Sequence, residues 1–367
     1  MIVPTTKNKF NAMVIVAYAM VYIVWGSTYF FIHKALSGFE PFMLGAFRFL
    51  TAGLLMLTWC QIRGHRIFDW STIKGAGVTG LLLLFIDTGI IIWVEQFLAS
   101  GLVAIMAASA AIWFVILDKP KWGENFRSLP IIAGLVLGFA GVVMLFADQL
   151  TNAGDAGERQ NNLNGMILLV LGAIAWTGGS LYSKYFSASD KQANTNSLVG
   201  TAWQIMIAGV AFAITAGIRG EISAFNFYAV PAEAWWSMLY LIVFGSAIAY
   251  SSYIWLLKVR PATEVSTYAY VNPIVAVFLS IFLTDETISS TQILGLGVIL
   301  LSVFMMNWDA YLKRKAPTMA EASPGLGKAY KRSIRTKPMY DFRKLRKADK
   351  PSTDDLTEGD MSIPAQD

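Results

Sequence analysis

Apolar residues recur along this chain in successive runs of about 20, the length a helix needs to cross a hydrocarbon core. That spacing constrains the fold more than any single motif does. Inside a bilayer no water satisfies exposed backbone groups, so runs of this kind fold as helices with internal hydrogen bonds. Ten spans are read, near residues 12–33, 41–61, 73–96, 101–117, 128–147, 163–186, 196–218, 234–257, 263–284 and 291–310. Only 14% of the residues are charged, well below the ~25% of soluble domains. The expected class is an all-α membrane protein. The longer connections, near 148–162 and 219–233, carry Asn, Asp, Gly and Pro and read as loops.

Charge gives an orientation. With the N-terminus in the cytoplasm, eleven Lys/Arg, among them Arg63, Arg66, Lys119 and Lys121, flank the cytoplasmic side. Three, Lys34, Arg159 and Arg219, flank the other. The positive-inside rule therefore predicts two cytoplasmic termini. The formal charge of +5 comes wholly from residues 311–367, which hold 13 Lys/Arg against 8 Asp/Glu. This segment is polar and proline-rich and reads as a disordered basic tail. A basic surface for nucleic acid is thereby excluded. The single cysteine, Cys60, rules out an internal disulfide, and two histidines, His33 and His65, make a metal site or a Ser/His/Asp set an unlikely fit. No phosphate-binding loop is present, so neither an enzyme nor a cofactor is expected. The glycines of GLVLGFAG sit in an apolar span, where they permit close helix packing. The first apolar run is too long for a signal peptide and lacks a cleavage site.

An internal repeat divides the chain. AIAWTGGSLY (173–182) echoes YIVWGSTYFF (22–31), and GLGVILLSVFMM (295–306) echoes GLVLGFAGVVML (134–145). Five helices per half is an odd number, so the second half enters the membrane from the opposite side. The expected architecture is ten transmembrane helices in two inverted five-helix repeats, 1–150 and 163–310, with a solute site at the midplane between them. A membrane receptor or scaffold presenting the tail is the competing reading.

The candidate site residues are those that are costly in lipid. Arg48 lies in the second span; Asp87 and Glu95 lie eight residues apart in the third, which reads as nearly one helix face. Together the carboxylates suit a bound cation or a coupling proton. The topology brings Arg48 and Asp87 to similar depth, so an Arg48–Asp87 ion pair is expected. The segment from Arg260 to Glu286 holds Tyr270, Asn272 and Pro273 in an apolar run, and the proline removes a backbone donor where a wet cavity can compensate. Most tryptophans read as interfacial anchors. Trp25 and Trp176 are assigned to the cavity because they occupy matching places in the two halves. The first, third, fourth, sixth, eighth and ninth spans are expected to line it.

VWGSTYFFIHKAL (24–36), EPFMLGAFRFLTAGLLML (40–57), WVEQFLASGLVAI (93–105) and STYAYVNPIVAVFL (266–279) resemble the EamA-type transporters of the drug/metabolite transporter superfamily. The resemblance runs over residues 12–310 and implies two inverted five-helix halves that move small metabolites, often amino acids, out of bacterial cells. By position it carries over Trp25, Gly26, Ser27, Thr28, Arg48, Glu95, Gln96, Ser100, Gly101, Tyr270, Asn272, Pro273 and Glu286. This chain departs from the pattern at Ala111, where a proline is usual, at Asp87-Thr88, where Gly-Asn is usual, and at Asp118-Lys119, where Gly-Glu is usual. A kink is therefore expected only in the second half, at Pro273. A small organic substrate, protons as coupling ion and the lipid bilayer are the expected partners.

Overall fold

Eight helices are long and apolar enough to span a membrane: α1 Ala12–Ala35, α2 Pro41–Ile62, α3 Trp70–Val94, α4 Ser100–Leu117, α5 Leu129–Asp148, α6 Ala156–Tyr185, α7 Ser197–Ile218 and α8 Ala232–Val259. Two shorter apolar helices follow, α9 Tyr268–Leu283 and α10 Ser290–Met306. The structure, a computed structural model, describes residues 6–152, 155–187, 196–260, 262–283 and 288–308, and among these there is no strand. The tail expected over 311–367 lies outside the described residues.

Local chemistry sets several helix ends. Asp69 accepts from the Thr72 amide at 2.8 Å and its hydroxyl at 2.5 Å, which starts α3 and holds the Asp69 carboxyl below the usual carboxylate range. A reciprocal cap between Ser289 and Gln292 opens α10. The loop expected over 148–162 is mostly helical instead. Asp155 accepts from the Glu158 amide at 2.8 Å, so α6 begins at Ala156 and runs through polar residues that an i,i+4 bond from Gln160 to Asn164 supports.

Glycines decide which helices approach most closely. α2 packs along α7 and α5 along α10. A Cβ on Gly209 of α7 would lie 2.5 Å from the Leu50 nitrogen, and one on Gly53 of α2 would lie 2.8 Å from the Met206 Cα. At the other crossing, Gly134 and Gly141 of α5 meet Ser302 and Ile299 of α10, as the GLVLGFAG motif predicts. Large apolar side chains on the outside, such as Leu54, Val136, Ile214 and Phe278, remain exposed and form the surface that lipid would cover.

Gly209→Ala is expected to lower the thermal midpoint in detergent by an amount equivalent to about 1–3 kcal/mol, because the added methyl meets fixed backbone. Gly297→Ala, where a Cβ meets nothing within 4 Å, should leave the midpoint unchanged or slightly raised. Equal behaviour of the two variants would remove close packing as the reason for the glycine.

Four irregularities interrupt these helices. Residues Met20–Val24, Leu81–Asp87 and Leu241–Tyr250 form π-helical turns within α1, α3 and α8. The fourth is a break in α4 between Ala107 and Ala110, where Ala111 and Ile112 bond back three residues to Ala108 and Ser109. A kink confined to the second half was expected, since Ala111 stands where a proline is usual. The first half is broken without one. A chain of small side chains at 107–111 lets α6 approach, and the Thr177 hydroxyl takes up the Ala110 carbonyl at 3.2 Å. The matching break before α9 falls at Ser266–Thr267, ahead of Pro273.

Candidate functional site: a charged aromatic cavity

The irregular turns converge on one cavity. A widened π turn leaves a carbonyl poorly served by its own helix, and such turns gather at functional sites. Side chains that line or border the cavity take up these groups. In α1, the Asn272 amide, oriented to satisfy its surroundings, donates to the Tyr22 carbonyl at 3.0 Å and the Val21 carbonyl at 3.2 Å. In α3, the Thr88 hydroxyl donates to the Leu83 carbonyl at 3.2 Å. In α8, the Trp25 indole nitrogen donates to the Gly245 carbonyl at 3.2 Å.

All six helices expected to line the cavity do so, and α2 joins them through Arg48 and Phe49. From α1 come Trp25, Thr28, Tyr29 and Ile32; from α3 come Leu84, Asp87, Thr88 and Ile91. The broken α4 contributes alanines only, Ala104, Ala107, Ala108 and Ala110, which make a smooth wall. α6 adds Trp176, α8 adds Gly245, Ser246 and Tyr250, and α9 adds Tyr268, Ala269, Asn272 and Pro273.

Trp25 and Trp176, paired by sequence position, meet edge to face with ring centroids 5.3 Å apart. Around Trp25 stand Tyr253 at 4.9 Å, Tyr268 at 5.8 Å and Tyr250 at 6.4 Å. These tyrosines are themselves fixed, Tyr253 by Ser180 at 2.8 Å and Tyr250 by Gln204 at 2.8 Å. Tyr250 and Tyr253 were not among the candidates. The available signal was their spacing of three residues inside an apolar run, which places both on one helix face. Tyr270 lies in α9, but its side chain is outside the described residues.

The charges are arranged otherwise than expected. Arg48 is 5% exposed and Asp87 is 8% exposed, and both line the cavity, yet no ion pair joins them among the described residues. Arg48 instead donates from Nε to the Ser246 hydroxyl at 2.8 Å and lies over the Phe49 ring at 4.8 Å. Its electrostatic partner is Glu95. Glu95 is 1% exposed and stands outside the cavity lining that holds Asp87. The reason is helical phase: eight residues at ~100° each leave ~80° between the two carboxylates. Asp87 lines the cavity, and Glu95 follows the end of α3.

Beyond the cavity, polar contacts tie the helix ends. Tyr18 donates to Glu264 at 3.1 Å, Tyr22 and Thr267 lie 2.5 Å apart, and Tyr185 donates to Asp118. At other ends Glu221 accepts from the Met43 amide at 2.8 Å, and Lys34 pairs with Glu233 at 3.0 Å.

The family model described as the EamA-like transporter family matches the chain twice, at residues 12–147 and 163–308. Similarity extends to the uncharacterized inner membrane transporter YedA of Escherichia coli (strain K12), 34% identical over 82% of this chain and 92% of that protein. It extends also to a probable amino-acid metabolite efflux pump of the same strain, 22% identical over 80% of this chain and 96% of that protein. A solved structure that is 16% identical, with a TM-score of 0.59, covers 83% of this chain and 99% of its own, which supports the fold alone. Apolar helices around a charged cavity, two matches to one family model and a relative above 30% identity agree: the chain belongs to the EamA-like transporter family.

Proposed function

We propose that this protein is a secondary transporter of the bacterial inner membrane that exports a small organic metabolite, an amino acid or related solute, by alternating access. The observation that carries this reading is the cavity, enclosed by helices from both family-matched segments and holding Arg48 and Asp87. In this reading the ten helices form two inverted five-helix repeats, 1–150 and 163–310, and both termini face the cytoplasm. Transport rather than catalysis is its activity.

The mechanism follows from the irregular turns. Substrate occupies the cavity, and the halves rock about the breaks at Ala108–Ser109 and Ser266–Thr267. Contacts such as Tyr18–Glu264 and Tyr185–Asp118 close one end while those of Glu221 and Lys34 close the other. Each set has to release in turn for solute to cross. Asp87 is the group placed to exchange a proton for substrate. The similarity to a probable amino-acid metabolite efflux pump supports the solute class.

The test is release of a labelled metabolite panel, amino acids foremost, from proteoliposomes with and without an imposed pH gradient. Saturable release of one class, accelerated by the gradient, is expected, and deletion of residues 316–367 should leave it intact. No release from correctly folded protein would overturn the reading. Release indifferent to the gradient would remove the proton from it.

A further inference from the structure

Cations lie over aromatic rings at both ends of the helix bundle, and the two ends balance them differently. Where α7 stops and α8 starts, Lys34 lies 5.9 Å over Phe30 and pairs with Glu233 at 3.0 Å. Arg219 lies 4.5 Å over Trp93 at that end and pairs with Glu221 at 3.2 Å. At the opposite end, where α2 stops and α3 starts, Arg63 lies 4.5 Å over Trp59 and Lys74 lies 5.4 Å over Trp70. Among the described residues no carboxylate pairs with Arg63 or Lys74. The acid of this segment, Asp69, is engaged instead by the Thr72 amide and hydroxyl. Arg63, Arg66 and Lys74 are all exposed.

The turn that carries these cations is held in place. Gly64 takes φ +75°, its amide donates to the Gln61 carbonyl at 2.9 Å, and the His65 amide donates to the Cys60 carbonyl at 3.0 Å. That paired closure ends α2 and satisfies its last carbonyls. The Trp203 indole of α7 then donates to the Ile67 carbonyl at 2.7 Å, and the Phe68 ring lies 5.9 Å from the Trp203 ring. Each cation also tops an apolar face. Leu55, Trp59 and Ile62 are exposed on α2 just before Arg63, and Val78 and Leu81 are exposed on α3 one and two turns after Lys74. Exposed tryptophans beside long basic side chains are the composition of a membrane interface, where the rings and stems stay apolar and the charges reach the headgroups. A counter-anion for these cations therefore approaches alongside lipid-covered surface, and an acyl chain fits it to that surface.

We propose that the ends of α2 and α3 around this turn form a docking surface for anionic phospholipids, with headgroup phosphates on Arg63 and Lys74 and acyl chains along the apolar faces that adjoin them. Arg66, on the turn between, adds to the attraction. A zwitterionic headgroup brings its own cation and gains less from this surface. The opposite end needs no such partner, because Glu233 and Glu221 already stand on its cations.

The experiment uses full-length protein purified in a neutral detergent and phosphatidylglycerol that carries a photoreactive diazirine in its acyl chain. Crosslinks are mapped to peptides, and those within residues 55–81 are read, which keeps the basic segment 311–367 out of the measurement. Unlabelled phosphatidylglycerol is expected to compete at about one-fifth of the concentration that phosphatidylcholine of the same chains requires, the scale of one interfacial cation. Arg63→Gln/Lys74→Gln should bring the two lipids level. Equal competition in the unaltered protein would overturn the proposal, as would a double variant that keeps the preference for phosphatidylglycerol. Full displacement by millimolar inorganic phosphate would overturn it too, since the surface would then take phosphate without the lipid. If the double variant does not fold, each single variant is read in its own peptide, Arg63→Gln next to residues 55–62 and Lys74→Gln next to residues 74–81. None of these outcomes depends on what the cavity carries, so the transport reading stands or falls separately.

Discussion

Asp87→Asn is expected to lower substrate flux in proteoliposomes by about 30-fold or more while leaving the folded protein at least as stable as before. The two halves of that expectation share one cause. Asp87 is 8% exposed and lines the cavity, and among the described residues no ion pair reaches it. In the empty site the buried carboxyl is a cost to folding, and replacing it leaves no partner stranded. When substrate binds, the proposed proton exchange needs that carboxyl, so its loss falls on transport. Uptake kinetics and a thermal midpoint measured on the same preparation check both halves. A strong drop in stability would show instead that Asp87 is bonded into the fold. Unchanged flux would remove it from the site.

Arg48→Gln should behave in the opposite way. Losing the guanidinium breaks the Nε bond to the Ser246 hydroxyl and removes the buried cation on which Glu95, 1% exposed, acts electrostatically. Removing one side of a buried charge interaction typically costs about 3–5 kcal/mol. The variant is therefore expected to lose most of its folded yield or to unfold at markedly lower temperature. Adding Glu95→Gln should restore part of that loss, because the charge that acted on Arg48 goes with it, whereas adding Asp87→Asn should not. Rescue by Asp87→Asn in place of Glu95→Gln would return the pairing to Asp87, as equal membrane depth alone had suggested. The loss of function in the Arg48→Gln/Glu95→Gln protein would then report on the Ser246 bond and the free Nη1 donor, separated from folding.

Depth was legible in the sequence and azimuth was not. Counting residues along antiparallel spans placed Arg48 and Asp87 at one level, and both do line one cavity. That Asp87 enters the cavity lining while Glu95 stays out of it depended on a helical phase difference, and on α3 ending at Val94. The pairing of Trp25 with Trp176 succeeded for a reason that needs no azimuth: matching positions in two similar halves converge on whatever lies between them. Tyr250 and Tyr253 went unread because ring-bearing residues are common in such spans, and only the turn Leu241–Tyr250 aims them inward.

What this sequence settled by itself is governed by solvent. Runs of apolar residues near 20 long, sparse charge and glycines at i,i+4 spacing specify membrane helices and their close crossings, since lipid forbids open backbone. What the tertiary structure alone decided is where those helices depart from regularity. The π turns of α1 and α8 and the proline-free break in α4 depend on side chains from other helices reaching their carbonyls, as Asn272, Trp25 and Thr177 do. A local sequence does not contain its distant donor, so the site's shape, and which carboxylate faces it, is fixed only when all seven helices meet.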